Sequence, residues 1–386
     1  MQKKKVLVWE TLATVSGGQK MTLTVMDMLS DKFEFCLLIP AEGMMSEELK
    51  KRNIPYVVMG DQTLPTGVKD KQVIFRYGWM SVKNIWKSLA VIHRYKPDIL
   101  YAPGPAALPW SAVCGILSHK PVIWHLHHIF LDGATNKLLN VCGNWKSVRE
   151  IIAVSNCVGD QIVNSETHKK VRVLYNPVDV EKYATGDSAK IIDELESKLG
   201  RKLRGVKIVT QIGAITKNKR QDVLISVIST LKSAGQDVVG LVVGNTVTEA
   251  DCEFKERLER QIQQFDIDKQ IVWMGFRTDI GDILAATDCV LIPSEEGLSL
   301  VAMEAMAAKC GVVTISSGGA FELLSGIGCG KFYGKENMAD AADAVRNVLN
   351  SVNLEVCNRG YQFCLKQTYE NFHKKLENHF IESATY

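Results

Sequence analysis

Pro293-Ser294-Glu295-Glu296-Gly297-Leu298-Ser299-Leu300-Val301-Ala302-Met303-Glu304-Ala305-Met306-Ala307 is the stretch that decides the fold. The short apolar run Cys289–Ile292 ahead of it reads as a strand that stops at Pro293. A glycine turn follows, and a helix is expected to open near Leu298. A helix start carries backbone N–H groups without intrahelical partners and a partial positive charge, which suits a pyrophosphate. Glu296 sits in the turn. Glu304 lies two helical turns further on, so both carboxylates look toward one crevice. Two glutamates eight residues apart are common by chance. This pair is more specific because strand, turn and helix surround it in the right order.

Outward from this stretch, short β-branched runs alternate with longer helical patterns. Toward the amino terminus, Val6–Trp9, Phe35–Ile39, Tyr56–Met59, Ile99–Tyr101, Val122–His125, Ile151–Val154 and Val171–Leu174 read as strands, with helices such as Lys20–Leu29, Met80–Tyr95 and Cys157–Ser165 between them. Later strands are Ile208–Ile212, Gly240–Val243, Ile271–Met274, Cys289–Ile292, Val312–Ile315 and Lys331–Tyr333, with helices at Gln221–Ser233, Cys252–Phe265, Ile280–Ala286 and Leu298–Lys309. Nearly continuous apolar strands joined by helices imply parallel sheets covered on both faces. Two such runs predict an α/β chain of two Rossmann-like domains. The boundary falls at Asn176-Pro177-Val178-Asp179, ahead of a polar stretch from Glu181 to Arg204. The expected domains are 1–178 and 179–360, followed by a helical segment 361–386. Its aromatic stripe (Tyr361, Phe363, Tyr369, Phe372, Phe380) must bury itself, and it is expected to cross back onto the first domain.

Composition bounds the function. The chain has 386 residues, 46% hydrophobic and 23% charged, an ordinary globular balance. Ten cysteines include no C-x-x-C pair, which reads as reduced buried thiols and not as a zinc ribbon or disulfide scaffold. The basic start Met1–Lys5 is followed by too short an apolar run for a signal peptide. Leu108 to Leu131, the most apolar long stretch, is broken by Pro109, His119, Lys120 and Pro121 and does not read as a membrane span. A cytoplasmic protein is expected. Residues 1–182 hold 23 Lys and Arg against 16 Asp and Glu, while the remainder holds 23 against 27. A basic first half suits phosphate-bearing ligands or acidic lipid headgroups. No Lys/Arg stripe interleaved with aromatics points to nucleic acid.

In open α/β sheets, ligands collect outside the carboxyl ends of strands. After the first strand, Ser16-Gly17-Gly18-Gln19 leads into a helix. Paired glycines there let a backbone approach an anion closely. After the fifth strand come Trp124-His125-Leu126-His127-His128. These histidines read as a metal site, as a contact to a sugar hydroxyl or reacting centre, or as buried side chains satisfied by backbone. No carboxylate joins them before Asp132. The second half offers Lys217, Lys219 and Arg220 in a loop entering a helix, where they suit a phosphate. Gly318-Gly319 and Glu322 form a further glycine loop at the same edge. Asp266-Ile267-Asp268 lies where helix gives way to strand and reads as solvated. Trp79–Lys96 reads as an amphipathic helix with five Lys, Arg or His residues, suited to anionic lipid or simply to a core with a wet basic side.

Together these residues resemble the retaining glycosyltransferases of family 4, which have the GT-B fold of two Rossmann-like domains facing a central cleft. The resemblance rests on Glu296 and Glu304, Asn176-Pro177-Val178-Asp179, Met274-Gly275-Phe276-Arg277-Thr278-Asp279, Gly318-Gly319-Ala320-Phe321-Glu322, Gly17-Gly18 and His127, all in the family's order. Three positions depart from it. Ala214 stands where the family has an arginine, His128 where it has an acid, and Ser299 where it has a glycine. Lys219 keeps the family's lysine. The resemblance implies a donor nucleotide sugar, UDP- or GDP-linked, and no cofactor or metal. It places the ribose on Glu304, the base near the backbone of Arg277, and the diphosphate on Lys219, with Lys217 or Arg220 standing in for the missing arginine. The turn Gly297, Leu298, Ser299 and Leu300 would contribute N–H groups. Glu296 and His127 would act on the sugar, with Gly17 and Gly18 beside the donor. A glycan or lipid-linked acceptor would meet the first domain, with peripheral contact at the inner face of the membrane, in cell-envelope polysaccharide assembly. A sugar-nucleotide epimerase of similar shape and a catalytically silent partner protein are the alternatives.

Overall fold

The structure is a computed structural model that describes residues 3–60, 71–130, 132–351 and 354–385. The chain forms two compact units, Met1–Tyr175 with Glu370–Tyr386, and Asn176–Tyr369.

Unit 1 is built on seven strands: β1 (Lys4–Trp9), β2 (Phe33–Ile39), β3 (Tyr56–Val58), β4 (Ile99–Ala102), β5 (Val122–Leu126), β6 (Val148–Ala153) and β7 (Val171–Val173). Their order is β3-β2-β1-β4-β5-β6-β7, and every pairing is parallel. Val6, Leu7, Val8 and Trp9 are all fully buried, so β1 is covered on both faces. Unit 2 repeats the plan with β8 (Lys207–Ile212), β9 (Val238–Val243), β10 (Ile271–Gly275), β11 (Cys289–Ile292), β12 (Gly311–Ile315) and β13 (Lys331–Tyr333), in the order β10-β9-β8-β11-β12-β13. Its central strands are again Val- and Ile-rich and buried, and all pairings are parallel. Strand order reverses between β1 and β4 in one sheet and between β8 and β11 in the other. Loops diverge there and open a crevice at the carboxyl edge. All ten cysteines are free.

Several local expectations need correction. Cys157–Ser165 is not one helix. Asn156–Gly159 and Ser165–His168 are single turns, because Asn164 spends its side chain capping the second, accepting from the N–H groups of Glu166 and Thr167. The polar stretch after Asp179 is also helical, at Val180–Ala184 and Ser188–Leu199. The last segment is two helices, Leu354–Cys364 and Tyr369–Ser383. Unit 2 ends at Tyr369, so Tyr361 and Phe363 belong to it and only the final helix belongs to unit 1. There Phe372, Leu376 and Phe380 enter the core, with the Phe380 ring 5.6 Å from Phe33 and 5.2 Å from Tyr101. The first unit closes at Tyr175, three residues before the expected boundary.

Candidate active site

In unit 2 the site grows from the ends of β8 and β11. The chain leaves β11 at Pro293 and turns through Glu295–Leu298. Ser299 then caps the helix Leu300–Ala307, its hydroxyl accepting from Ala302 N at 3.3 Å. The helix therefore opens two residues later than expected. Its first intrahelical bond runs from Met303 N to Ser299 O, so the amides of Leu300 and Val301 have no partner within the helix.

Glu296 points back to β8. Its Oε1 accepts from Lys219 Nζ at 2.7 Å and from Ser294 Oγ at 2.6 Å. Lys219 ends a single 3-10 turn, Lys217–Lys219, capped by Thr216. Lysine, glutamate and serine thus meet at the strand-order reversal, beside the helix start. Lys217 and Arg220 go elsewhere. Arg220 pairs with Asp222, and both cations line a cavity of about 270 Å³ with Phe254 and Arg257.

Glu304 is not a solvated carboxylate. Its Oε1 accepts the hydroxyl of Tyr183 at 2.9 Å, from the helix Val180–Ala184. Arg277, just after β10, is held by two acids. It donates to both oxygens of Glu194 at 3.0 and 2.9 Å and to Asp279 Oδ1 at 2.8 Å. That bond to Arg277 is the largest cause holding the Asp279 carboxyl below its ordinary range. The guanidinium is thereby committed to Glu194 and Asp279.

The two glycine pairs have different reasons. A Cβ on Gly319 would lie 2.0 Å from Gly297 O, and Gly319 N donates to Glu296 O at 2.7 Å. Gly318 has φ +78°. This pair lets one loop lie against the Glu296 turn. Cβ atoms on Gly17 and Gly18 would meet nothing within 4 Å. They open the helix Gly17–Leu29 in unit 1, and neither packing nor backbone strain demands them.

Unit 1 places Glu10 and Thr11 just past β1, both buried. Glu10 accepts from Gln19 Nε2 at 3.0 Å, Thr22 Oγ1 at 3.1 Å and Leu12 N at 3.3 Å. Burial still outweighs these bonds and raises its pKa above the usual carboxylate value. At β5, His125 and His127 stack with ring centroids 4.1 Å apart. His125 is fully buried, shares a 2.6 Å hydrogen bond with the Tyr101 hydroxyl, and is pushed down to about 3 by burial. His127 stands one residue beyond the strand and keeps some exposure, yet its Nε2 is buried without a partner. Burial first, and then its histidine neighbours, lower its pKa well below 6.5. Gln161 staples the loop beyond, donating to His128 O at 3.0 Å and accepting from Phe130 N at 2.5 Å.

Sequence reasoning missed Tyr183, Ser294, Glu10 and Gln161. Ser294 stands two residues from Glu296 and carried a local signal. Tyr183 and Gln161 act across 121 and 33 residues, which no spacing rule reaches.

Comparison with known proteins fits this geometry. The family description "Glycosyltransferase Family 4" matches residues 15–182 and "Glycosyl transferases group 1" matches residues 193–359. The chain is 22% identical over 319 residues to an Escherichia coli UDP-Gal:alpha-D-GlcNAc-diphosphoundecaprenol alpha-1,3-galactosyltransferase, spanning 78% of this chain and 77% of that one. It is 22% identical to the Staphylococcus aureus capsular polysaccharide biosynthesis glycosyltransferase CapM, over 71% and 73% of the two chains. Among solved structures, Anabaena Alr3699/HepE in complex with UDP matches with TM-score 0.80 at 18% identity, over 98% of this chain and all of that one. With both sheets in this order and family matches across both halves, the chain belongs to the family 4 glycosyltransferases of the GT-B fold.

Proposed function

We propose that this glycosyltransferase moves a sugar, with retention of anomeric configuration and without a metal, from a UDP- or GDP-linked donor to a glycan or lipid-linked acceptor in cell-envelope polysaccharide assembly. The observation that carries the reading is the cluster of Lys219, Glu296 and Ser294 beside the start of the helix Leu300–Ala307. A departing diphosphate needs positive charge where its own negative charge develops. Lys219 and the amides at Leu298–Leu300 supply it, which is the ground for metal independence. Glu304 takes the ribose hydroxyls, the Arg277 backbone takes the base, and Gly297 gives the turn its close approach. Glu296 and His127 are assigned to hydroxyls of the transferred sugar, Gly17 and Gly18 to a closely approaching donor phosphate. The bond from the anomeric carbon to the diphosphate oxygen breaks. The acceptor oxygen bonds to that carbon from the same face, and its proton passes to the leaving phosphate. The relatives named above act on a lipid diphosphate acceptor or in capsule biosynthesis, which supports the same acceptor class and a place at the inner face of the membrane. No helix among the described residues is long and apolar enough to cross a membrane.

The test is a thermal-shift panel of UDP, GDP and ADP, followed by incubation with the preferred nucleotide sugar in excess EDTA. A matched nucleotide at about 100 times its Kd stabilises by about 2.7 kcal/mol. Slow release of nucleoside diphosphate in EDTA is expected. Activity lost on chelation and restored by Mg2+ would end the metal-free mechanism. A new nucleotide sugar among the products would indicate an epimerase, and no binding or turnover a silent partner.

A further inference from the structure

The helix Lys71–Tyr95 has the wrong polarity for its place. Its inward side carries Asn84 and Ser88, both buried, beside Met80 and Ile92, and Ser88 Oγ accepts from the indole of Trp9 at 3.0 Å. Its outward side carries Phe75, Trp79, Val82 and Trp86, exposed by 80%, 74%, 50% and 72%. At about 100° per residue these four lie within about 60° of each other, a line about 16 Å long. Arg76, Lys83, Lys87 and Arg94 fall together about a quarter turn to one side. The 25 residues contain five Lys or Arg and no Asp or Glu. A helix that only closed the core would bury its tryptophans and expose its serine and asparagine.

We infer that this face is a footing on an anionic bilayer, with Phe75, Trp79 and Trp86 set into the interface and Lys83 and Arg94 against lipid phosphates, while Lys87 is held by the carbonyl of Met59. Aromatic rings suit the depth where headgroups meet acyl chains, and flanking lysines and arginines reach acidic headgroups. A second copy of the chain is the poorer occupant. A two-fold contact sets the same patch against itself and brings two sets of five cations together. The footing is also tied to the ligand edge of unit 1. Tyr77, between Phe75 and Trp79, donates its hydroxyl to Ala106 O at 2.8 Å, in the turn that follows β4, and its ring lies 5.9 Å from Trp110. The end of the helix bearing Phe75 and Trp79 is therefore held at the carboxyl edge of the sheet, and the lipid surface meets the protein there. This deepens the proposed lipid-linked acceptor and rests on it, but it is testable without it.

The experiment is co-sedimentation of the full chain with vesicles of phosphatidylcholine, with and without one third phosphatidylglycerol. Wild type pellets with the anionic vesicles. Lys83→Gln/Arg94→Gln, or high salt, weakens binding about tenfold. Phe75→Ser/Trp79→Ser/Trp86→Ser abolishes it while leaving the thermal transition and the slow hydrolysis of the donor unchanged. The inference is overturned if wild type stays in the supernatant at low salt. It also falls if the triple variant pellets like wild type, or if wild type is a dimer that the triple variant splits. Vesicle binding without any donor hydrolysis leaves the footing in place and removes the enzymatic reading instead.

Discussion

Tyr183 shows how a residue outside every motif shapes one inside it. Its hydroxyl holds one oxygen of Glu304 at 2.9 Å and so orients the carboxylate that we assign to the ribose. Glu304→Ala removes charge-assisted bonds worth about 1.5–3 kcal/mol, so nucleoside diphosphate affinity should drop about tenfold to a hundredfold by calorimetric titration. Tyr183→Phe keeps the carboxylate and loses only its orientation, about 0.5–1.5 kcal/mol, or about twofold to tenfold. Equal losses would show that Tyr183 touches the nucleotide itself. Glu296 and Glu304 were legible because strand, turn and helix frame them locally. Ser294 sits in the same turn as Glu296, but Lys219 and Tyr183 lie on other elements, and only folding brings them near. Glu10 makes a different case. Burial raises its folded pKa above the unfolded value, so the folded state binds the proton more tightly, and stability falls as pH rises from the unfolded pKa through the folded one. Glu10→Gln keeps an acceptor for Gln19 and removes the buried charge. Its melting temperature should exceed wild type at pH 8, by about 2–4 °C per kcal/mol, with the margin shrinking toward pH 5. A margin that grows on acidification would reverse the sign argued here.

At the scale of elements, the thirteen strands among the described residues were readable, the central ones because buried parallel strands are continuous Val- and Ile-rich runs punctuated by glycine and proline. Helices were harder. Cys157–Ser165 has helical composition, yet Asn164 caps a new turn inside it, and local side-chain bonds win over propensity in so short a stretch. The start of the helix Leu300–Ala307 was misplaced for a related reason. Ser299 serves as its cap, and the sequence alone showed a serine where a glycine is usual. The glycine pairs, alike in sequence, separate cleanly in the structure and lead to opposite expectations. Gly319→Ala sets a methyl 2.0 Å from Gly297 O and must displace the turn bearing Glu296, so both melting temperature and nucleotide affinity should fall. Gly17→Ala meets no atom and should leave stability unchanged or raise it by up to about 1 kcal/mol. If a ligand approaches that backbone, the same substitution lowers kcat/KM. Unaltered kcat/KM with Gly17→Ala would remove Gly17 from the site.

At the scale of the molecule, the chain leaves unit 1 at Tyr175, builds all of unit 2, and returns to unit 1 with Glu370–Tyr386. The returning helix is part of the first core. Phe372, Leu376 and Phe380 are buried there, Phe380 between Phe33 and Tyr101, and the Nδ1 of His379 lies 2.7 Å from Glu150 Oε1. The aromatic stripe announced this burial in the sequence. The place where one unit hands over to the other was not readable, because Leu365–Thr368 parts two helices that share one composition. Fully burying a Phe or Leu stabilises by about 1.5–3 kcal/mol each. Three of them sum to about 5–9 kcal/mol, comparable to the whole stability of a domain. Truncation after Tyr369 should therefore unfold unit 1 and leave unit 2 intact. The truncated protein should lose protection of residues 1–175 in limited proteolysis while the matched nucleoside diphosphate still raises the melting of what remains. Phe380→Ala, at about 3–5 kcal/mol, should shift the unit 1 transition without abolishing it. Loss of both units together on truncation would mean that they fold as one cooperative body, and nucleotide binding to unit 2 would then depend on the last helix of the chain.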